Sequence, residues 1–311
     1  MELVNNIESI KKPYKNAVLT IGNFDGVHIG HQALFKEVKK KADQIIGTSI
    51  AMTFEPHPSR VLKQNGYPPL ITLYEQKLEL ISKHDLDVLI SVPFTKTFAE
   101  ISAREFVEDL LVDRIGMKAI VVGKDYAFGK NREGNLDFLK ASSNRLGFDV
   151  VVWDWVPDSE NRFDRVSSTK IRELVMDGNV ASARQPLGRY YQIRGTVERG
   201  RDRGGKLLGF PTANIHLTDE LCPKMGVYAV TVECEGRFYN GVANIGYSPT
   251  FEDKMFTVEV HILDFNMDIY DKNIRVNFIE RLRDEVRFSS LSQLKDQIKK
   301  DIEKAKQILD R

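Results

Sequence analysis

The chain has 311 residues, enough for about two domains with separate cores. Its 45 basic and 44 acidic residues leave a net charge of +1, which excludes a global electrostatic pull toward nucleic acid or a membrane surface. No apolar run approaches the roughly 18 residues of a membrane span, and residues 1–13 are polar with no signal core.

Cys222 and Cys234 stand outside any C-x-x-C spacing, so buried structural thiols and a cytoplasmic protein are expected. From residue 17 to 153 short apolar runs alternate with amphipathic ones, the pattern of a doubly wound parallel α/β sheet. Strands are expected at 18–21, 49–54, 88–92, 119–123 and 150–153, with helices at 33–42, 74–83, 102–111 and 136–146. Ser102-Ala-Arg-Glu105 has the spacing of a capping box ahead of Phe106, Val107 and Leu110. After Pro157, the hydroxyls of Ser167-Ser-Thr-Lys-Ile-Arg172 suit a helix start, Gly178 suits its end, and a short helix should stop before Pro186.

From residue 190 to 280, glycines and prolines punctuate short runs at 191–197, 227–234, 238–245, 257–263 and 274–278. This spacing predicts an antiparallel β-barrel or sandwich with Glu235-Gly236 as a hairpin turn. A terminal helix then carries Leu291, Leu294, Ile298, Ile302, Ala305 and Leu309 on one stripe, expected to pack on the barrel. The expected domains are 1–186 and 187–311. Nothing in the pattern predicts self-association.

Leu19-Thr-Ile-Gly-Asn-Phe-Asp-Gly-Val-His-Ile-Gly-His31 reads as strand, tight turn and helix. Such a turn aims unpaired N–H groups and the positive end of a helix at the space beyond the strand, which favours a phosphate. Gly30 should let a ligand approach the backbone, and His28 and His31, three apart, share one side. On these residues alone, satisfied polar histidines are an equally good reading, and a metal pair lacks a third ligand at an obvious spacing. Asn23 and Asp25 also suit a turn for purely conformational reasons, and His57 between Pro56 and Pro58 is expected to fix a loop rather than a helix.

In the second half, Gly200-Arg-Asp-Arg-Gly-Gly-Lys206 has most of a P-loop. Leu207 stands where the magnesium-binding hydroxyl belongs, and Gly209 and Pro211 oppose the helix that must follow. A glycine-rich flap in which Lys206 covers phosphates is the weaker reading that survives. Strand alternation puts Glu259 and His261 on one face, opposite Val258, Val260 and Ile262. A solvated polar face is the plain interpretation.

Several of these stretches carry a resemblance. The segment ending at His31 is similar to the histidine-glycine-histidine motif of the nucleotidyltransferase superfamily, shared with class I aminoacyl-tRNA synthetases. With Thr53-Phe-Glu-Pro-His-Pro58, Phe98-Ala-Glu-Ile-Ser102, Val122-Gly-Lys-Asp-Tyr-Ala-Phe-Gly129 and Arg165-Val-Ser-Ser-Thr-Lys-Ile-Arg172 in order, it resembles bacterial bifunctional riboflavin kinase/FAD synthetase. Gly209-Phe-Pro-Thr-Ala-Asn214, Gly241-Val-Ala-Asn-Ile-Gly246, Pro249-Thr-Phe251 and Glu259-Val-His-Ile262 extend the resemblance over nearly the whole chain.

The resemblance implies that riboflavin and ATP give FMN and ADP in the barrel, and that FMN and ATP give FAD and pyrophosphate in the sheet domain, with Mg2+ at both. It implies that His28 and His31 stabilise charge as the FMN phosphate attacks the α-phosphate of ATP. ATP would be bound there by Gly22, Asn23, Phe24, Asp25, Gly30, Arg165, Ser168, Thr169 and Arg172, and the flavin side would include His57 and Asp125. Asp125, where the family also has an amide, would bind metal or order its loop. In the kinase, Thr212 and Asn214 would hold magnesium and, with Gly205 and Lys206, the ATP phosphates. Glu259 would take the proton of the ribityl 5′-hydroxyl, while Arg283, in Arg281-Leu-Arg-Asp-Glu285 ahead of Phe288, would lie on a flavin-side flap, although a charge run before a helix reads plainly as a solvated segment. The alternatives are another mononucleotide adenylyltransferase, a flavin-binding regulatory module without turnover, and a tRNA-binding synthetase-like protein. The last lacks a Lys-Met-Ser-Lys-Ser loop.

Overall fold

The strands of the first sheet read as unbroken apolar runs because both faces are covered. The structure is a computed structural model, described here for every residue except 64–65, 155, 157–164, 199–208, 218, 248–255 and 311. Strands β1 (Glu2–Val4), β2 (Ala17–Ile21), β3 (Ser49–Glu55), β4 (Val88–Pro93), β5 (Met117–Gly123) and β6 (Asp149–Trp153) are parallel, in the order β1-β4-β3-β2-β5-β6. Leu19, Met52, Ile90 and Ile120 pack on one side, and Val18, Ala51, Leu89 and Val121 on the other. That division is the period-two alternation of an extended chain.

The helices of this unit are α1 (Ile29–Gln44), α2 (Pro58–Leu62), α3 (Tyr74–Ser82), α4 (Lys96–Ala99), α5 (Ala103–Glu105) and α6 (Leu136–Leu146). The capping box forms as expected: Ser102 Oγ accepts from Glu105 N at 3.2 Å, and Ser102 N donates to Glu105 Oε2 at 3.0 Å. Beyond Glu105 the helix widens to π geometry over Phe106–Ile115. The edge strand β1 has too few residues to show a pattern in the sequence.

The loop expected at His57 is corrected. Pro58 occupies the first turn of α2, where its fixed φ suits a helix, and His57 caps that helix by accepting from Ser59 N at 3.2 Å.

The second sheet comprises β7 (Tyr191–Thr196), β8 (Ala213–His216), β9 (Gly226–Cys234), β10 (Arg237–Tyr247), β11 (Phe256–Ile262) and β12 (Asn273–Arg283). It is antiparallel, in the order β7-β12-β9-β10-β11-β8. Glu198 N donates to Asn214 O at 2.9 Å, tying the chain beyond β7 to β8 and nearly closing a barrel. Helices α7 (Ser168–Met176) and α8 (Val180–Leu187) precede it, and α9 (Leu291–Leu309) follows.

Three expectations change here. Strand β8 forms inside the Pro-Thr-Ala-Asn motif, where four residues after a proline gave no alternation to read. Pro186 lies within the last turn of α8, which ends instead at Gly188 with a left-handed φ of 70°. Strand β12 runs through Arg283, its register shifting between Phe278 and Glu280 and again between Arg281 and Arg283, so these arginines sit on a strand rather than in a loop.

By packing, the chain divides into two compact units, Met1–Ser168 and Thr169–Arg311, so that α8 and nearly all of α7 group with the barrel. Both cysteines are free, and burial pushes the Cys222 thiol up to about 12 and Cys234 upward, which disfavours the reactive thiolate.

Candidate active sites

In the first unit, strand order reverses at β2, which is flanked by β3 and β5. Open α/β sheets leave a ligand crevice at that point, beyond the carboxyl ends of the strands. The turn after β2 fills it with defined geometry. Phe24, 2% exposed and at a φ of 47°, folds into the core. Its ring meets Phe35 edge-on at 4.9 Å and His31 at 5.3 Å. The Phe24 side chain is therefore engaged in packing and backs the His31 imidazole, which leaves its backbone for the expected contact with ATP. The Asp25 carboxylate accepts from Ile71 N at 3.0 Å and Thr72 N at 3.1 Å, so it braces the turn against the following segment.

His28 is the N-cap of α1, one position before its first turn, with φ −72° and ψ 170°. Its Nδ1 accepts the His31 N–H at 3.3 Å, which places the imidazole proton on Nε2. The two rings stack at 3.5 Å between centroids with 17° between planes.

Gly30 also has a second role. A Cβ there would lie 3.1 Å from His28 Cε1 and Nδ1, so the missing side chain makes room for the imidazole. Gly30→Ala is therefore expected to displace the His28 ring. The helix should be no less stable, since alanine is worth up to about 1 kcal/mol over glycine inside one. The reaction that uses this ring should nevertheless slow about tenfold or more, because small misplacements of reacting groups are costly. Steady-state rates beside a thermal melt check this.

The segment expected to complete the ATP site is partly seen. Arg165 Nη1 donates to Asp125 Oδ2 at 3.0 Å, and Ser168 Oγ donates to the Asp25 carbonyl at 2.8 Å. Both contacts bring the segment to the crevice, with Asp125 engaged by an arginine. Thr169 and Arg172 follow on α7 in the second unit.

Beside Gly22, Asn23 and Asp125 lies a cavity of about 760 Å³, lined by Phe54, Phe94, Phe98, Phe106, Tyr126 and Phe128. Sequence reasoning missed this aromatic cluster, although four of its members follow or end strands β3, β4 and β5 and could have been noticed on that ground. The Tyr126 hydroxyl is buried with no partner among the described residues, and burial raises its pKa. Lys77 Nζ donates to the Phe54 carbonyl at 3.2 Å, fixing the end of β3. Burial lowers the Lys77 pKa against the opposing pull of Glu55 and Asp25. Pro58 lines this cavity, whereas His57 does not.

In the second unit, Glu259 on β11 stands opposite Asn244 of β10 and Asn214 of β8. Burial, with a smaller contribution from Glu285, pushes its carboxyl upward. A cavity of about 520 Å³ is lined by Glu259, Thr212, Asn244, His261, Arg283, Glu285 and Phe288, with Ile298, Asp301 and Ile302 from α9. The shared face of Glu259 and His261 thus looks into a cavity. His261 Nδ1 donates to the Pro211 carbonyl at 2.8 Å and holds the loop that carries Thr212.

A second cavity, of about 300 Å³, lies on the other side of β11 along Val260, Ile262 and residues 265–270, and Thr212 lines both. Arg283 does not lie in a solvated run: Asp301 engages it in two-pronged fashion, with Nη2 to Oδ2 at 2.7 Å. Asn244 faces Glu259 across the strands, a pairing that the Gly241-Val-Ala-Asn-Ile-Gly246 stretch does not signal by itself. Gly205, Lys206 and Pro249-Thr-Phe251 lie outside the described residues.

Comparison with known proteins gives each half of the chain its own family match. A family model described as FAD synthetase matches residues 10–170, and one described as riboflavin kinase matches residues 187–309. Bifunctional riboflavin kinase/FMN adenylyltransferase of Haemophilus influenzae is 38% identical, covering 98% of each chain. The chain belongs to this family. The Escherichia coli member is 37% identical over 97% of this chain and 96% of its own, and that of Listeria monocytogenes is 39% identical over 92% and 90%. A crystal structure named as a macrolide-efflux protein from Streptococcus pneumoniae is 33% identical, with a TM-score of 0.85 and 97% of each chain covered. Among the described residues no helix is long and apolar enough to cross a membrane.

Proposed function

We propose that this chain performs both reactions named by its family. Residues 187–311 phosphorylate riboflavin to FMN with release of ADP, and residues 1–186 adenylylate FMN to FAD with release of pyrophosphate. The observation that carries the proposal is that each unit has its own reactive group and its own cavity: a stacked imidazole pair ends the turn whose first residues, Gly22 and Asn23, line one cavity, and a desolvated carboxylate lines the other. An adenylyltransferase for a different mononucleotide would leave the barrel site without a role. The free thiols fit a reducing, cytoplasmic setting.

In the first unit the aromatic cavity suits a flat ring system. An FMN phosphate oxygen attacks the α-phosphorus of ATP while the bond to the bridging oxygen breaks, and pyrophosphate departs. The His28 Nε2–H and the adjacent His31 ring donate to oxygens on which negative charge grows, and the N–H groups at the start of α1 add to that field. No nucleophilic side chain is needed; positioning and electrostatics suffice.

In the second unit Glu259 takes the proton from the ribityl 5′-hydroxyl as that oxygen attacks the γ-phosphorus and ADP leaves. Thr212, which lines both cavities, marks the boundary between acceptor and nucleotide. Thr212, Asn214 and Asn244 offer only oxygen donors of the kind a hard divalent cation takes. These oxygens would hold a magnesium ion together with those of the ATP phosphates. Bound magnesium supplies neutralisation of phosphate charge.

The test is product analysis after supplying riboflavin or FMN separately with Mg-ATP. Riboflavin should yield FMN and then FAD, and FMN should yield FAD. Failure of both conversions in folded protein contradicts the reading.

A further inference from the structure

The apolar stripe of α9 is interrupted by a charge. Asp301 sits between Ile298 and Ile302 and is 5% exposed. A carboxylate there is costly unless its oxygens are satisfied. They are: Arg283 Nε donates to Oδ1 at 2.9 Å and Oδ2 at 3.0 Å, Nη2 donates to Oδ2 at 2.7 Å, and Gln297 Nε2 donates to Oδ1 at 2.9 Å.

The same guanidinium reaches the chain leaving β12. Its Nη1 donates to the Asp284 carbonyl at 2.9 Å, and its carbon lies 5.9 Å from the centre of the Phe288 ring. One arginine thus joins the end of β12, the 284–288 segment and α9, all at the wall of the cavity that holds Glu259.

Packing alone does not require this arrangement. The distal half of α9 is anchored by Ala305 against Val227, Ala229 and Leu282, and Lys304 Nζ donates to the Leu282 carbonyl at 2.9 Å. A buried ion pair is a poor substitute for apolar packing, but its two-pronged geometry fixes orientation. The proximal half of α9 instead contributes Leu294, Ile298 and Ile302 to the cavity, so this part of the helix is a wall of the site.

We propose that Asp301 is a positioning residue for the kinase reaction. Held by Gln297, it fixes the Arg283 guanidinium and the Phe288 segment at the acceptor cavity, and so sets the affinity for riboflavin. This rests on the kinase reading of the second unit.

The experiment measures steady-state kinetics of the full chain carrying Asp301→Asn or Asp301→Glu, with riboflavin and ATP varied separately. Adenylylation of supplied FMN and a thermal melt on the same preparations report the integrity of the chain. Asp301→Asn should raise the riboflavin KM about tenfold or more, with the ATP KM changed less than about twofold, because it removes a charge-assisted pair on the acceptor side only. Asp301→Glu should restore most of the affinity.

If Asp301→Asn makes too little FMN for a KM, quenching of riboflavin fluorescence decides. Lost binding with an unchanged melt supports the proposal, and lost binding with a lowered melt contradicts it. An unchanged riboflavin KM, equal rises in both KM values, or a glutamate variant no better than asparagine would each overturn it. A wild-type chain that phosphorylates no riboflavin would instead contradict the kinase reading itself.

Discussion

His28→Ala is expected to slow FAD formation from FMN by about 10²–10³-fold, the usual loss when one preorganised donor to a developing anion is removed. Riboflavin phosphorylation should continue at its wild-type rate, so FMN accumulates. The size of the effect follows from three geometric facts: His28 is buried, its Nδ1 is committed to the His31 N–H, and its ring stacks on His31. Loss of the imidazole therefore removes the Nε2 donor and also frees the partner ring and one N–H at the start of α1. His31→Ala keeps the N-cap bond, which the His31 backbone donates, and should be the less damaging of the two. Quench-flow measurement of pyrophosphate release separates the chemical step from FAD departure.

Glu259→Gln is expected to lower FMN formation by about 10²–10⁴-fold, the usual contribution of a positioned general base. Adenylylation of supplied FMN should be unaffected. Because burial and Glu285 raise the Glu259 pKa, the kinase kcat/KM should begin to fall at a higher pH than for an exposed carboxylate as the solution is acidified. Stability should respond in the opposite sense. A folded-state pKa above the unfolded one favours folding at low pH, and that advantage is lost as pH rises through the folded value. At neutral pH the ionised carboxylate is therefore a burden, and Glu259→Gln should raise the melting temperature. A variant that is less active and less stable together would point to a structural role.

The parallel sheet was legible because two-face burial demands apolar runs and because Ser102 and Glu105 announce a helix start by spacing alone. The barrel was legible in its longer strands, where alternation had room to show. It was not legible at β8, which is short, or at the end of β12, where Arg281 and Arg283 read as a solvated run. Burial of Arg283 against Asp301 depends on a residue 18 positions away, and no local pattern signals such a pair.

The same limit applies to the first site. The sequence motif brings His28 and His31 to one side, but Phe24 turning inward and Gly30 making room for an imidazole are matters of tertiary packing. The aromatic cavity gathers residues from the ends of three strands, so its members are scattered in the chain and meet only once the sheet is formed.

The central claim, two independent sites on one chain with FMN as the shared intermediate, is tested most directly by mixing. Given riboflavin and Mg-ATP, His28→Ala alone should stop at FMN, and Glu259→Gln alone should yield almost nothing. The two variants together should make FAD, as FMN released by one is consumed by the other. A mixture that forms no FAD, although each variant keeps the activity assigned to its intact site, would show that FMN does not pass between chains. If either variant lost both activities while still folded, the two-site account would be contradicted.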